Sequence, residues 1–119
     1  MIEVGQRTRN QPAPPWAVHD ALVEPDRDPS RPWLSLLVDE QPPTIIESVR
    51  PGLVVWSSLW PHRPDAVIRF DLPADTGGGT DLTWTLLVEE PEPHLAQLGH
   101  FRKRINQLIN ADLRYSFGQ

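Results

Sequence analysis

HLAQLGHFRKRINQLINADLRYSF, residues 94 to 117, contains no proline, in a chain where 14 of 119 residues are proline. At 100° per residue, with Ile105 set at zero, Leu95, Leu98, Phe101, Leu108, Ile109, Leu113 and Tyr115 fall within about 80° of one line. The spacing predicts a single amphipathic helix, roughly 35 Å long at 1.5 Å rise per residue. A rod of that length must cross the body of a small protein and needs an apolar surface to lie on. Two residues interrupt its stripe, Asp112 and Ser116, each about 20° from Ile105. A lone buried carboxylate costs several kcal/mol unless it is paired or protonated. The last turns therefore either run past the protein's edge into water or border a cavity open to a ligand's polar end.

The residues before the helix supply strands. Ile2, Val4, Gln6 and Thr8 alternate with Glu3, Gly5, Arg7 and Arg9, the period of a strand with one drier face, and the prolines of Gln11 to Pro15 stop it. Pro15 suits a first helical turn, and Trp16, Ala17, Val18, Ala21 and Leu22 follow at helical spacing, so a short helix is expected at about 15 to 23. Asp28 and Pro29 could open one further turn. WLSLLV at 33 to 38 reads equally as strand or as the end of that second helical piece. Thr44 to Arg50, Leu53 to Trp60 and Ala66 to Leu72 follow as hairpin strands joined at Pro51, Gly52 and PHRPD. The longest strand comes after Gly77, Gly78 and Gly79, with Leu82, Trp84, Leu86 and Val88 on one face. Without a lysine or a following helix, the triple glycine is a turn rather than a phosphate loop. EEPEP, from Glu89 to Pro93, ends the sheet and puts negative charge at the start of the long helix. The expectation is an α+β fold with five to six antiparallel strands curved around one carboxyl-terminal helix.

Composition narrows the function. A chain of 119 residues with 39% hydrophobic and 23% charged content is expected to form one domain with a modest core. A net charge of −5 argues against general affinity for nucleic acid. The chain has no cysteine, which removes disulfides and thiolate chemistry and fits the cytoplasm. MIEVGQRTRN is too polar for a signal peptide, and no apolar run approaches the roughly 18 residues of a membrane span. His94 and His100 point about 120° apart on the helix. His19 and His62 lie in other elements, and no spacing suits a metal, so neither metal nor cofactor is expected.

The order of elements, with APPWAVHDAL at 13 to 22, GGTDLTWTL at 78 to 86 and the closing helix, resembles the START-like or SRPBCC superfamily, which includes polyketide cyclases and pollen-allergen-like proteins. The resemblance spans residues 1 to 119, as a single START-like domain, though the chain is shorter than the fold usually is. It implies a helix-grip fold with a hydrophobic cavity between sheet and helix. In some members that cavity binds lipids or polyketides, in some it performs cyclisation or dehydration, and in others the surface binds a partner protein.

On that basis the expected partner is an apolar small molecule or lipid, held between Ile68, Phe70, Trp84 and Leu86 on the sheet and Phe101, Ile105, Leu108 and Asp112 on the helix. Asp112 would orient the ligand's polar group. Two alternatives remain open: a polyketide cyclase- or dehydratase-like enzyme using Asp112 as acid or base, and a protein-interaction module or homodimer of chaperone-associated type, marked by exposed apolar surface. The five tryptophans either fill the core or line the cavity. In HFRKR, at 100 to 104, Lys103 and Arg104 are expected to face water and Arg102 to sit at the edge of the stripe.

Overall fold

The computed structural model describes residues 1–27 and 32–118. Its elements run β1 (Ile2–Gln11), α1 (Pro15–Val23), β2 (Ile45–Val49), β3 (Leu53–Trp56), β4 (Val67–Asp71), β5 (Thr80–Val88), α2 (Leu95–Gln107), a π-helical turn (Leu108–Leu113) and α3 (Arg114–Ser116). The five strands form one sheet in the order β1-β5-β4-β3-β2, every neighbouring pair antiparallel. Strands β2 to β5 are thus a meander of hairpins, and β1 closes the far edge beside β5.

The apolar face of β5 is as its alternation requires: Leu82, Trp84, Leu86 and Val88 are all buried, and opposite them on β4 stand Phe70 and Ile68. The turn between β4 and β5 is set by Asp75, whose Oδ1 accepts the backbone N–H groups of Gly77 and Gly79, each at 2.7 Å. Gly78 sits at φ +90°, where a side chain is strained, and a Cβ on Gly79 would lie 2.5 Å from the Gln11 carbonyl. The turn chemistry of the triple glycine is therefore steric.

Strand β1 departs from the simple alternation. A bulge between Glu3 and Gly5 inserts Val4 as an extra residue, and from there Gly5, Arg7, Arg9 and Gln11 stand opposite Leu86, Trp84, Leu82 and Thr80. Directly opposed residues share a face, so the second half of β1 turns Arg7, Arg9 and Gln11 toward the helix in place of the expected Gln6 and Thr8. A single inserted residue exchanges the two faces of everything beyond it.

Two other segments differ from the sequence reading. Trp33 to Val38 is neither strand nor helix, and the segment expected as strand from Leu53 to Trp60 is strand only to Trp56. Ser57 to Trp60 leaves the ladder because the Ser58 hydroxyl bonds locally, accepting the Trp60 N–H at 3.0 Å and donating to the Arg63 carbonyl at 2.8 Å. The suggested helical turn at Asp28 and Pro29 lies outside the described residues.

The carboxyl-terminal helix crosses the sheet with Leu98, Phe101, Ile105, Leu108, Ile109 and Leu113 buried. Leu95 and Tyr115, expected in the same stripe, are 84% and 77% exposed. Leu95 is the first residue of α2, and Tyr115 follows a turn that is not α-helical. From Leu108 to Leu113 the backbone is π-helical, so each residue advances by less than 100° and angles counted from Ile105 no longer hold. Four of the five tryptophans lie in the core, Trp16 being exposed: Trp60 stacks on Phe101 with centroids 3.9 Å apart, Trp56 meets Phe70 edge-on at 4.8 Å, and Trp33 stacks on Trp56 at 6.0 Å.

Candidate functional site

Of the eight residues expected around a ligand, Ile68, Phe70, Trp84, Leu86, Phe101, Ile105 and Leu108 are at most 1% exposed. They do converge between sheet and helix, but Trp56 and Trp60 lie against Phe70 and Phe101 within that space. A ligand there would have to displace packed aromatic rings. Asp112 is the exception. It is half-buried and borders a cleft of about 940 Å³ at the end of the helix, together with Trp33, Ser35, Asn110, Tyr115 and Ser116.

The cleft exists because of two features. The first is the π-helical turn, which carries Asn110, Ala111 and Asp112 along the cleft while Ile109 and Leu113 stay in the core. The turn is tied to the sheet by Gln11, whose side-chain amide donates to the Ile109 carbonyl at 3.0 Å from a fully buried position on β1. π-Helical turns are frequent where a helix carries function. The second feature is the irregular segment from Pro32 to Gln41, which forms the opposite wall. Trp33 anchors its start, donating its indole N–H to the Ala21 carbonyl of α1 at 3.0 Å.

The far end of that wall is held by a buried ion pair that periodicity did not find. Arg104, expected in water, is 7% exposed. It grips Glu40 with two nitrogens, Nε to Oε2 at 2.9 Å and Nη2 to Oε1 at 2.8 Å, and also donates to the Ser35 carbonyl at 2.9 Å and to Gln107 Oε1 at 3.1 Å. The Glu40 side chain is fully buried and further accepts the Trp60 indole at 3.2 Å and the Leu37 N–H at 2.9 Å. Burial pushes the Glu40 carboxyl up, yet the bonds from Arg104 and the Leu37 N–H outweigh it and hold it below the ordinary range. This bidentate geometry is a guanidinium property that lysine cannot reproduce. The only sequence signal was an arginine on the helix one position before Ile105, and its partner is 64 residues away.

Asp112 has the opposite electrostatics. Partial burial raises its carboxyl above the ordinary value, and the positive charge of Arg104 pulls it only part of the way back. Among the described residues no hydrogen bond to its carboxylate contributes, and the group borders the cleft. A second cleft of about 470 Å³, lined by Trp16, Ala21, Glu24 and Arg27 among others, shares Trp33 and Ser116 with the first. Trp16 on its rim is 54% exposed. Among the described residues, no group of three or more His, Asp or Glu side chains is placed to hold a metal, and no helix is long and apolar enough to cross a membrane.

Comparison with known proteins gives a consistent fold. No protein-family model and no curated protein sequence matches the chain. Solved structures do. CalU16 from Micromonospora echinospora superposes with a TM-score of 0.68 at 18% identity, covering 95% of this chain and 73% of that one. The Aha1 dimer from Colwellia psychrerythraea gives 0.68 at 14% identity, over 99% of this chain and 100% of that one. An HSP90 activator from Plasmodium falciparum gives 0.58 at 14% identity, over 92% and 89%. At these identities the likeness is one of fold. The five-stranded antiparallel sheet closed over a long carboxyl-terminal helix is the helix-grip fold, and this chain has it.

Proposed function

We propose that the protein binds a small molecule with an apolar body and a hydrogen-bonding end, and that it does so in the open cleft at the end of the helix. Trp33 and Tyr115 supply flat apolar walls, and Asp112 meets the polar end. The observation that carries this reading is the placement of Asp112: an upward-shifted carboxyl without a hydrogen-bond partner among the described residues, on a π-helical turn, facing the largest of the described clefts. The residues deeper in the fold, Phe101, Ile105 and Leu108 among them, form the dry support behind it.

The test is native mass spectrometry of freshly purified protein, followed by titration with 1-decanol as a polar-headed apolar probe. A co-purified small molecule, or decanol binding that weakens on Asp112→Asn with folding intact, supports the reading. Decanol binding unchanged by that substitution removes Asp112 from the role.

A second reading is a homodimer or interaction module. It is favoured by the dimeric Aha1 neighbour and by the edge strand β2, which leaves Ile46 and Val49 57% and 58% exposed on an unpaired edge. Light scattering at micromolar concentration separates the two, since a dimer would bring the mass to twice 13.5 kDa.

A further inference from the structure

The geometry points to a second binding site, away from the helix end: an anion site for a small phosphate-bearing molecule in the cleft between β1 and α2. The cleft has a volume of about 460 Å³ and is lined by Gly5, Gln6, Arg7, Trp84, Arg102, Lys103 and Asn106. Among the described residues no carboxylate lines it, in a chain whose net charge is −5. The cluster is therefore a local concentration of positive charge against the overall balance. The β1 bulge creates it, by turning Arg7 and Arg9 to the helix-facing side where an unbroken strand would have placed Gln6 and Thr8.

The hydrogen-bond inventory identifies the ligand class. The acceptors close to this cleft are already occupied: the Val4 carbonyl by Arg102 Nε at 2.6 Å, and Asn106 Oδ1 by Arg9 Nε at 2.9 Å. The charged groups left over on its lining are all donors. They are the Arg7 guanidinium, the terminal nitrogens of Arg102 and the Lys103 ammonium, beside the Asn106 amide N–H₂, and the lining also includes Trp84. The indole nitrogen is buried, Trp84 being 1% exposed, and it has no acceptor among the described residues. A buried donor without an acceptor is costly, and a lining with three cations and, among the described residues, no carboxylate is complementary to a group rich in acceptors and negative charge. A phosphate fits on both counts, and arginine holds phosphate oxygens in pairs. Gly5 keeps the cleft open: a Cβ there would come within 3.1 Å of Arg102 Cγ, 3.2 Å of its Nε and 3.3 Å of the Trp84 ring.

The experiment is a titration of the ¹⁵N-labelled full chain with inorganic pyrophosphate, the ionic strength held constant with sodium chloride, following the through-bond-assigned Trp84 indole resonance. The expected result is a saturable shift of that resonance and of the backbone at Gly5 to Arg7. The double variant Arg7→Gln/Lys103→Gln should weaken binding at least tenfold, while Arg27→Gln, a change to an exposed cation that does not line this cleft, should leave it unaltered. Thermal unfolding of each variant confirms that it is folded. A shift that rises linearly without saturating, or an equal loss from Arg27→Gln, would mean screening of the whole protein's charge and would overturn the site. Failure here leaves the helix-end cleft untouched, because the two share no lining residue.

Discussion

The two halves of the carboxyl-terminal helix do different work with similar residues. In α2, Leu98, Phe101 and Ile105 are shut against the sheet and Trp60, and even the one buried charge, Arg104, is fully paired. In the π-helical turn, Leu108, Ile109 and Leu113 are equally buried, but the residues between them border open space and include a carboxyl with no hydrogen-bond partner among the described residues. The difference comes from backbone geometry rather than from hydrophobicity. A widened turn lets core residues remain in the core while their neighbours are carried along a cleft, so one helix both closes the fold and opens a site.

Changes in the first half should damage the fold most. Phe101→Ala removes a fully buried ring stacked on Trp60 and should cost about 4 kcal/mol in urea unfolding. It should also leave an apolar void that admits the ligand expected from sequence, which would blur the distinction between the halves. Glu40→Gln leaves the Arg104 charge buried and unpaired, and should cost about 3 kcal/mol at neutral pH. Because Glu40 is held below its ordinary value of 4.5, its contribution is complete above that value. It is lost as the pH falls through the lowered folded value. The stability gap between wild type and Glu40→Gln should accordingly close in acid.

Changes in the second half should be milder for folding and sharper for binding. Tyr115→Ala, at a position 77% exposed, should alter stability by no more than about 0.5 kcal/mol while weakening ligand capture in the cleft. The smallest effect on folding is expected for Asp112→Asn, within about 0.5 kcal/mol, and its sign is informative. The folded carboxyl sits above its ordinary 3.8, so wild-type stability declines as the pH rises from 3.8 through the folded value. The asparagine variant should then be slightly the more stable at neutral pH and should lose that advantage below 3.8, as differential scanning fluorimetry across pH would show. A strongly destabilised Asp112→Asn would place this residue with Arg104 in a structural role.

Much of the architecture was legible in sequence because it depends on short-range periodicity. The alternation of Leu82, Trp84, Leu86 and Val88, the stripe from Leu98 to Leu108, the proline-led α1 and the glycine turn all follow from local rules, and the structure has them. What periodicity could not supply is where the period breaks. The β1 bulge and the π-helical turn each shift the residues beyond them; the bulge has Gly5 at its edge, a signal the regular alternation around it masked, while the π-helical turn holds no proline or glycine to mark it. The buried pair of Arg104 and Glu40 was invisible for another reason: it joins the helix to an irregular segment, and pairing across 64 residues leaves no local signature. Asp112 was legible as an anomaly in the stripe, although its surroundings were not.

The most direct test of the account is a map of amide shifts on titration with 1-decanol. Saturable changes confined to Trp33 and to the backbone from Asn110 to Ser116, with Ile68, Phe70 and Ile105 unmoved, are the predicted result. Saturable changes centred on Phe70, Phe101 and Ile105 would instead locate the ligand in the interior behind Trp60, and would contradict the assignment of binding to the end of the helix.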